Sequence, residues 1–544
     1  MMYTKSSIQI YKIISLFLCT FFLFGCSSKE PVELDTEQLA KESKPIEEEI
    51  KASTSNKVTS LAIGVLKDTG TLHPLYANNE QTEDILSFVF EPAIKLDSTD
   101  TPQPSVIESW DVENDGTEYT FKIRKNVFFH GSDATVTADD LVFAIEQILS
   151  SDSQNCRYYT YSNCIKSYKK VDELSFTVSL KKATKDVFQL MSFPVFPKSV
   201  YANLSENTYK TPVGTGAYRV ESYDTESGFK LVKNEKWWRV PGDIETVDIK
   251  FYNNANSILE AYRNNEINTI INTDFSSAVF SSNTKSASYY TTTQYYDAVI
   301  PNCKKYPTNS TSVRQGISYA ISRSDIIKQC LQGEGVSVFT PLRTDKWYME
   351  QIEHYTDNDE QKALSCFKDA GYTLSNDGKL GHNGVQMKLK LIYTDSSNTG
   401  YKANVAAALR TQLSEVGIEL SIEKLSSDEF VSALQEGEYD LALCSFYTNV
   451  NDDISTFFGS NATLNYGKFE TKDISSLIDK ANSSVEDEEA KKAYAELYQY
   501  LVENSPHIGL YYRTHSLVLP SGVVNVGLLR CRSIFTDINT WKKE

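Results

Sequence analysis

Nucleophilic and metal-ligating residues are plentiful in this sequence, but their spacing supports one chemical step only. The six histidines, at 73, 130, 354, 382, 507 and 515, are scattered without ligand spacing, and no HExxH pair is present. Neither a Gly-x-Ser-x-Gly elbow nor a P-loop nor a nucleophilic-cysteine motif occurs. Gly214-Thr215-Gly216 lacks the third glycine and the lysine of phosphate-cradling loops, and reads as a turn needing unusual backbone angles. The pattern predicts neither an enzyme nor a bound metal or cofactor. Cys26 is the exception. A basic start with Lys5 and Lys12 leads into an apolar run from Ile13 to Phe24, which ends at small Gly25 just before the cysteine. This is the layout of a secretory signal peptide. A thiolate at that point is a nucleophile that can carry a thioether-linked lipid.

Leu23-Phe24-Gly25-Cys26 resembles a bacterial lipobox, with leucine three residues before the cysteine and glycine one before it. The resemblance implies cleavage after residue 25 and a diacylglycerol on the Cys26 sulfur. The apolar run is short and broken by Ser15 and Thr20, which argues against a membrane-spanning helix. One acyl chain anchors weakly, so two or three on Cys26 are expected. Residues 26–57 are rich in Glu, Lys, Ser and Thr and hold no aromatic residue, and so predict a flexible acidic linker. Removing residues 1–25 takes away two lysines and no acid, so the net charge of −18 becomes −20. That balance argues against a nucleic-acid partner, which needs a basic footprint. Seven cysteines follow the anchor: Cys156, Cys164, Cys303, Cys330, Cys366, Cys444 and Cys531. Their odd number and lack of CxxC pairs suggest mostly buried free thiols, with Cys156 and Cys164 near enough in sequence for a disulfide.

The elements around these residues can be read from periodicity. Leu61 to Val65 is an apolar strand, and Tyr119, Phe121 and Ile123 alternate with polar residues as a half-buried one. Thr137-Ala138-Asp139-Asp140 is a capping-box pattern, opening a helix that aligns Leu141, Ala144, Ile145 and Ile148. Val313, Ile317 and Ile321 mark another helix, and Ser324 is expected to cap the next. Tyr401 to Val416 is a long helix stopped by Gly417, and Ser426-Ser427-Asp428-Glu429 starts one more. Strands alternating with helices in this second half predict a mostly parallel sheet covered on both faces.

Several stretches together are similar to the family 5 extracellular solute-binding proteins, the peptide and nickel receptors of ABC importers. They include Asp115-Gly116-Thr117-Glu118-Tyr119-Thr120-Phe121 running to Phe129-His130-Gly131, and Thr137 to Phe143. Pro212 to Tyr218, Asn234 with Trp237-Trp238, and Val313 to Arg323 complete the set, and the order fits from about residue 58 to the end. The resemblance implies an α/β, two-lobed, periplasmic-binding-protein-like fold of class II with an extra α+β subdomain in the first lobe. The first lobe would take 58–96, 196–293 and 509–544, the inserted subdomain 97–195 and the second lobe 294–508. It also implies a lipid-anchored monomer on the outer face of the cell membrane. That monomer would capture a peptide or other small solute between its lobes for ABC permease and ATPase subunits. A nickel or metal-chelate receptor is the alternative within the family, and a surface sensor uncoupled from transport the alternative outside it.

Family peptide binders hold the ligand's amino terminus with a tryptophan and an aspartate three residues later. Phe446 and Asn449 stand at the resembling positions, so the ion pair is lost, and Asp452 or Asp453 would have to replace it unless both cap a helix near Ile454. Tyr158, Tyr159 and Tyr161 lie where the subdomain approaches ligand, and Tyr76, Asn78, Asn79 and Glu80 in a loop resembling a cleft-lining segment. Arg343 reads as a surface arginine near the mouth of the second lobe.

Overall fold

Eleven strands form one continuous sheet that runs through both halves of the molecule. They are β1 (Ser60–Leu66), β2 (Tyr218–Asp224), β3 (Gly228–Lys233), β4 (Thr246–Tyr252), β5 (Thr269–Asn272), β6 (Ser286–Pro301), β7 (Gly335–Ser337), β8 (Lys388–Tyr393), β9 (Glu419–Lys424), β10 (Leu441–Tyr447) and β11 (Ile508–Pro520). Their spatial order is β9-β8-β10-β6-β11-β5-β1-β4-β3-β2, with β7 pairing β11 off this path. This computed structural model describes residues 59–543 except 68–69, 78, 153–154, 203–210, 273–285, 354, 396–399, 449–452, 460–461, 471 and 485–486. Cys26, the signal peptide, the linker, Asn78, Asn449 and Asp452 therefore lie outside the described residues.

The sheet divides at its two longest strands. β6 and β11 run antiparallel side by side, from Ser286 opposite Pro520 to Val299 opposite Ile508. β6 continues onto β10 on one side and β11 onto β5 on the other, so both strands cross between the lobes. The register of β6 slips against β11 between Thr292 and Tyr296 and again between Asp297 and Ala298. Such slips bend a strand and raise its local twist. The parallel pairs are β1–β4, β1–β5, β8–β9 and β8–β10, so the parallel sheet expected for the second half is confined to β9-β8-β10, which joins β6 antiparallel. The β–α texture supplies the parallel neighbours, but the crossing strands run in opposite senses and β2, β3 and β4 form an antiparallel meander.

Side-chain alternation along β6 feeds two separate cores. Val299 packs with Val313, Phe367 and Leu409 on one face, and Ala298 and Ile300 pack with Phe430, Tyr498 and Leu501 on the other. The first lobe has its own core around Leu61, Ile63 and Val65, shared with a four-stranded antiparallel sheet of Ile107–Glu113, Glu118–Ile123, Ser175–Leu180 and Ile165–Asp172. Each large apolar side chain buried in these cores stabilises the fold by roughly 1.5–3 kcal/mol.

Local signals act as their chemistry requires. Thr137 and Asp140 form the capping box of helix Ala138–Leu149, and Ser426 and Glu429 that of helix Ser427–Glu436. Helix Tyr401–Glu415 ends just before Gly417, whose φ is 82°. Helix Arg323–Cys330 is capped by Ser322 rather than Ser324, because the preceding helix already ends at Ala320 and leaves Ser322 extended. Gly214 and Gly216 are required for space, not for unusual angles. A Cβ on Gly214 would meet the Val89 carbonyl oxygen at 2.3 Å, and one on Gly216 the Phe88 carbonyl oxygen at 2.5 Å. The Asn234 side-chain amide donates to the Gly216 carbonyl at 3.0 Å, fixing this turn. All seven described cysteines are free thiols, so the pairing of Cys156 with Cys164 is not formed. The hydrophobic surroundings of Cys156, fully buried in the first core, account for a thiol that behaves as a small apolar group.

Candidate solute cleft

The lobes face each other across the crossing strands, and polar side chains from both sides meet there. Helix Glu80–Leu86 starts beside β11 because Asn79 caps it, its side-chain oxygen accepting from the Thr82 amide at 2.8 Å. Glu80, the first helical residue, is thereby held 3.3 Å from His515 Nδ1 on β11 and 3.3 Å from an Arg532 guanidinium nitrogen. Arg532 also bonds Glu83 at 2.6 Å and reaches across to the Tyr447 hydroxyl at the end of β10. Tyr447 donates to Gln294 Oε1 at 3.1 Å and stacks edge-on against Tyr295, with ring centroids 5.1 Å apart. Burial lowers the His515 imidazole pKa against the opposing pull of Glu80, which favours the neutral ring.

Below this layer a second network pins the crossing strands. Arg513 on β11 donates from Nε to Asp297 on β6 at 2.6 Å and from Nη2 to Ser445 Oγ on β10 at 2.8 Å. Asp297 is fully buried, and the paired guanidinium is what makes that burial tolerable.

A third contact joins the lobes directly. Lys346 and Arg530 both bond the buried Asp100 carboxylate, and Arg343 lies close enough to add to their field. Burial alone would raise the Asp100 pKa, but Lys346, Arg530 and Arg343 outweigh it and bring it down to about 2. Arg343 is buried and bonded to Asp345, which corrects its reading as a surface arginine. Two cavities flank Asp100. One of about 220 Å³ is lined by Arg343, Lys346, Arg530 and Tyr290 to Thr292. The other, about 1030 Å³, lies between the four-stranded sheet region and the second-lobe residues around Trp347 and Tyr494.

The residues singled out from sequence divide into three groups. Glu80 is in the cleft, half-buried in ion pairs rather than an exposed charge, and Asn79 acts on it through the helix cap. Tyr76 stacks on His73 at 4.4 Å, while Tyr158 and Tyr161 are buried in the first core, with Tyr159 packed against it. Tyr158 still borders a smaller first-lobe cavity, where Arg157 donates to its hydroxyl at 2.6 Å. Phe446 points away from the cleft into the aromatic cluster of Tyr296, Phe457 and His507. Asp453 accepts from the Ser455 amide at 3.0 Å and from Asn482 at 3.1 Å, beside the start of the short helix Ser455–Phe458, whose N-cap is Ile454. The residue missed on β10 is Tyr447. Strand alternation puts it on the cleft side once Phe446 is assigned to the core.

Among the described residues, one group of donors could hold a metal. Glu80, His515 and Cys531 each offer one ligand atom, and these lie within 4.8 Å of one another. A carboxylate, an imidazole and a thiol suit a borderline divalent cation. No linear motif joins positions 80, 515 and 531, which is why spacing alone did not reveal it.

A continuous sheet crossed by two strands, with cavities between the lobes it joins, defines a two-lobed solute-binding protein of class II architecture. The family model for bacterial extracellular solute-binding proteins, family 5, matches residues 101–468, and the chain belongs to this family. The oligopeptide-binding protein AppA of Bacillus subtilis is 25% identical over 85% of this chain and 88% of its own length. Its structure with a nonapeptide superposes at a TM-score of 0.60, with 21% identity, over 89% of this chain and 99% of that one. NikZ of Campylobacter jejuni in complex with Ni(L-His) superposes at 0.64, with 21% identity, over 89% and 100%. Proteins of this family bind solutes without catalysis and work outside the cytoplasm, so this chain is a binding protein and not an enzyme. No helix among the described residues is long and apolar enough to cross a membrane.

Proposed function

We propose that this protein is the receptor of an ABC importer that captures oligopeptides in its interlobe cleft and hands them to the membrane permease. The observation that carries this reading is the cavity of about 1030 Å³ lined from both lobes. It stands at the upper end of the roughly 300–1,000 Å³ typical of small-molecule pockets. Extended peptides suit such a space, and the resemblance to oligopeptide-binding proteins supports the same class. A lipid on Cys26 holds the body at the outer face of the membrane, with residues 27–57 as the leash. The lobes divide near residues 293 and 509, a division supported by the separate cores on either side of the crossing strands. Thermal unfolding with a pool of short peptides tests the reading. Saturating peptide at a hundredfold excess over Kd stabilises by about 2.7 kcal/mol. A shift with nickel salts or nickel–histidine and none with any peptide overturns it.

The donor group of Glu80, His515 and Cys531 favours a second reading, a metal-chelate receptor. Two features weigh against it. Arg532 already pairs with Glu80, and burial raises the Cys531 thiol pKa, so a metal must displace both a cation and a proton. Cobalt(II) added to the protein gives thiolate-to-metal absorption if this site binds metal, and Cys531→Ser abolishes that band.

A further inference from the structure

The larger cavity is strongly acidic on one side of the Asp100 contact. Asp100, Glu113, Asp115, Asp186, Glu350, Asp487 and Glu489 line it against only Lys185 and Lys491. The smaller cavity has the opposite balance, with Arg343, Lys346 and Arg530 against Asp100 and Asp345. The cleft is therefore polar along its length, with its anionic end between the four-stranded sheet region and the second lobe.

Within that end, the protein has placed an ammonium of its own. Lys185 precedes helix Asp186–Leu190, and its Nζ sits 4.0 Å from the Trp347 ring centroid, 5.4 Å from Tyr348 and 5.9 Å from Tyr494. All three rings belong to the second lobe, on the turn Trp347–Met349 and helix Asp487–Asn504. The Lys185 Nζ is buried and has no protein hydrogen-bond partner. Burial lowers its pKa to about 7, with Asp487 opposing the shift. The cage thus has the shape to take an ammonium but offers this one no protein hydrogen-bond acceptor. Replacing it with an ammonium that arrives with bridging water or its own carbonyl returns Lys185 to solvent, where its charge is fully hydrated.

We propose that Trp347, Tyr348 and Tyr494 form an ammonium subsite for the captured solute, which Lys185 fills in the solute's absence. The ammonium is the amino terminus or a lysine side chain of the bound peptide, so this rests on the peptide reading above. Four peptides distinguish the sources: Ala-Ala-Ala-Ala, Ala-Ala-Lys-Ala and the N-acetyl form of each, titrated calorimetrically into the full-length protein. Peptides that carry the recognised ammonium bind about tenfold tighter than N-acetyl-Ala-Ala-Ala-Ala, and Trp347→Ala removes that advantage. Which acetylation matters tells whether the amine is terminal or on the side chain. Lys185→Ala, a change at a partly exposed position, tightens binding of the ammonium-bearing peptides several-fold and leaves the fully neutral one unchanged. Equal affinity for all four peptides overturns the subsite and leaves the peptide reading standing. So does a Lys185→Ala variant that weakens all four alike, because Lys185 is then a strut. Failure of all four to bind overturns both.

Discussion

Two of the side chains that join the lobes each make a measurable demand. Tyr447 carries one hydroxyl shared among Gln294, Arg532 and Glu80. Tyr447→Phe keeps the ring and removes that hydroxyl. Hydrogen bonds to charged groups contribute about 1.5–3 kcal/mol, and because Tyr447 is half exposed the expected loss is at the low end, read by urea denaturation of the solute-free protein. An unchanged midpoint removes Tyr447 from the interlobe contact. Asp100 makes the second demand. Its carboxyl pKa is lowered in the folded state to about 2, from an unfolded value near 3.9. The contribution is therefore present above pH 4 and lost as pH falls through 2, on the order of 2 kcal/mol. Stability measured from pH 5 to pH 2 falls less steeply in Asp100→Asn than in the parent over that window. Both roles were invisible in the linear sequence. Glu80 could be picked out from its loop, but its partners His515 and Arg532 lie more than four hundred residues away. Arg343 looked like a surface charge for the same reason, because Asp100 reaches it only through the fold.

At the scale of elements, the sequence was readable wherever the signal is local. Capping boxes at Thr137 and Ser426 and the helix stop at Gly417 depend on residues within one turn, and all three form as spaced. Ser426→Ala removes the cap of helix Ser427–Glu436 and costs about 1 kcal/mol, measured by thermal unfolding. The glycine turn was legible as a turn, but its cause was not, since the obstructing carbonyls belong to Phe88 and Val89 more than a hundred residues earlier. Gly214→Ala forces backbone against backbone at 2.3 Å, and a loss of about 3 kcal/mol or a failure to fold is expected. A Gly214→Ala protein of parental stability contradicts the close approach. Strand parity explains the error at β10. Choosing Phe446 as the cleft residue instead of Tyr447 shifts the register by one and exchanges core for cleft.

For the whole molecule, motif order was enough to indicate two α/β lobes. Motif order could not indicate a single sheet, because β6 and β11 pair across more than two hundred residues of intervening chain. Localisation is tested at this scale. Cys26→Ala releases the protein from membranes into the soluble fraction if the cysteine carries the anchor, and persistent membrane association of that variant sinks the anchor.

The two crossing strands also limit how this protein can be cut. Neither half has a closed sheet without the other's strand. A chain ended before Ile508 leaves β6 without β11 along one whole side, takes one of the two neighbours of β5 and takes the neighbour of β7. That strand carries Tyr289, Tyr290, Tyr295 and Tyr296, a row of unpaired backbone groups beside large aromatic rings. Such an edge recruits other chains. Fragments intended as single lobes should therefore pellet on expression, whereas the intact body stays dispersed.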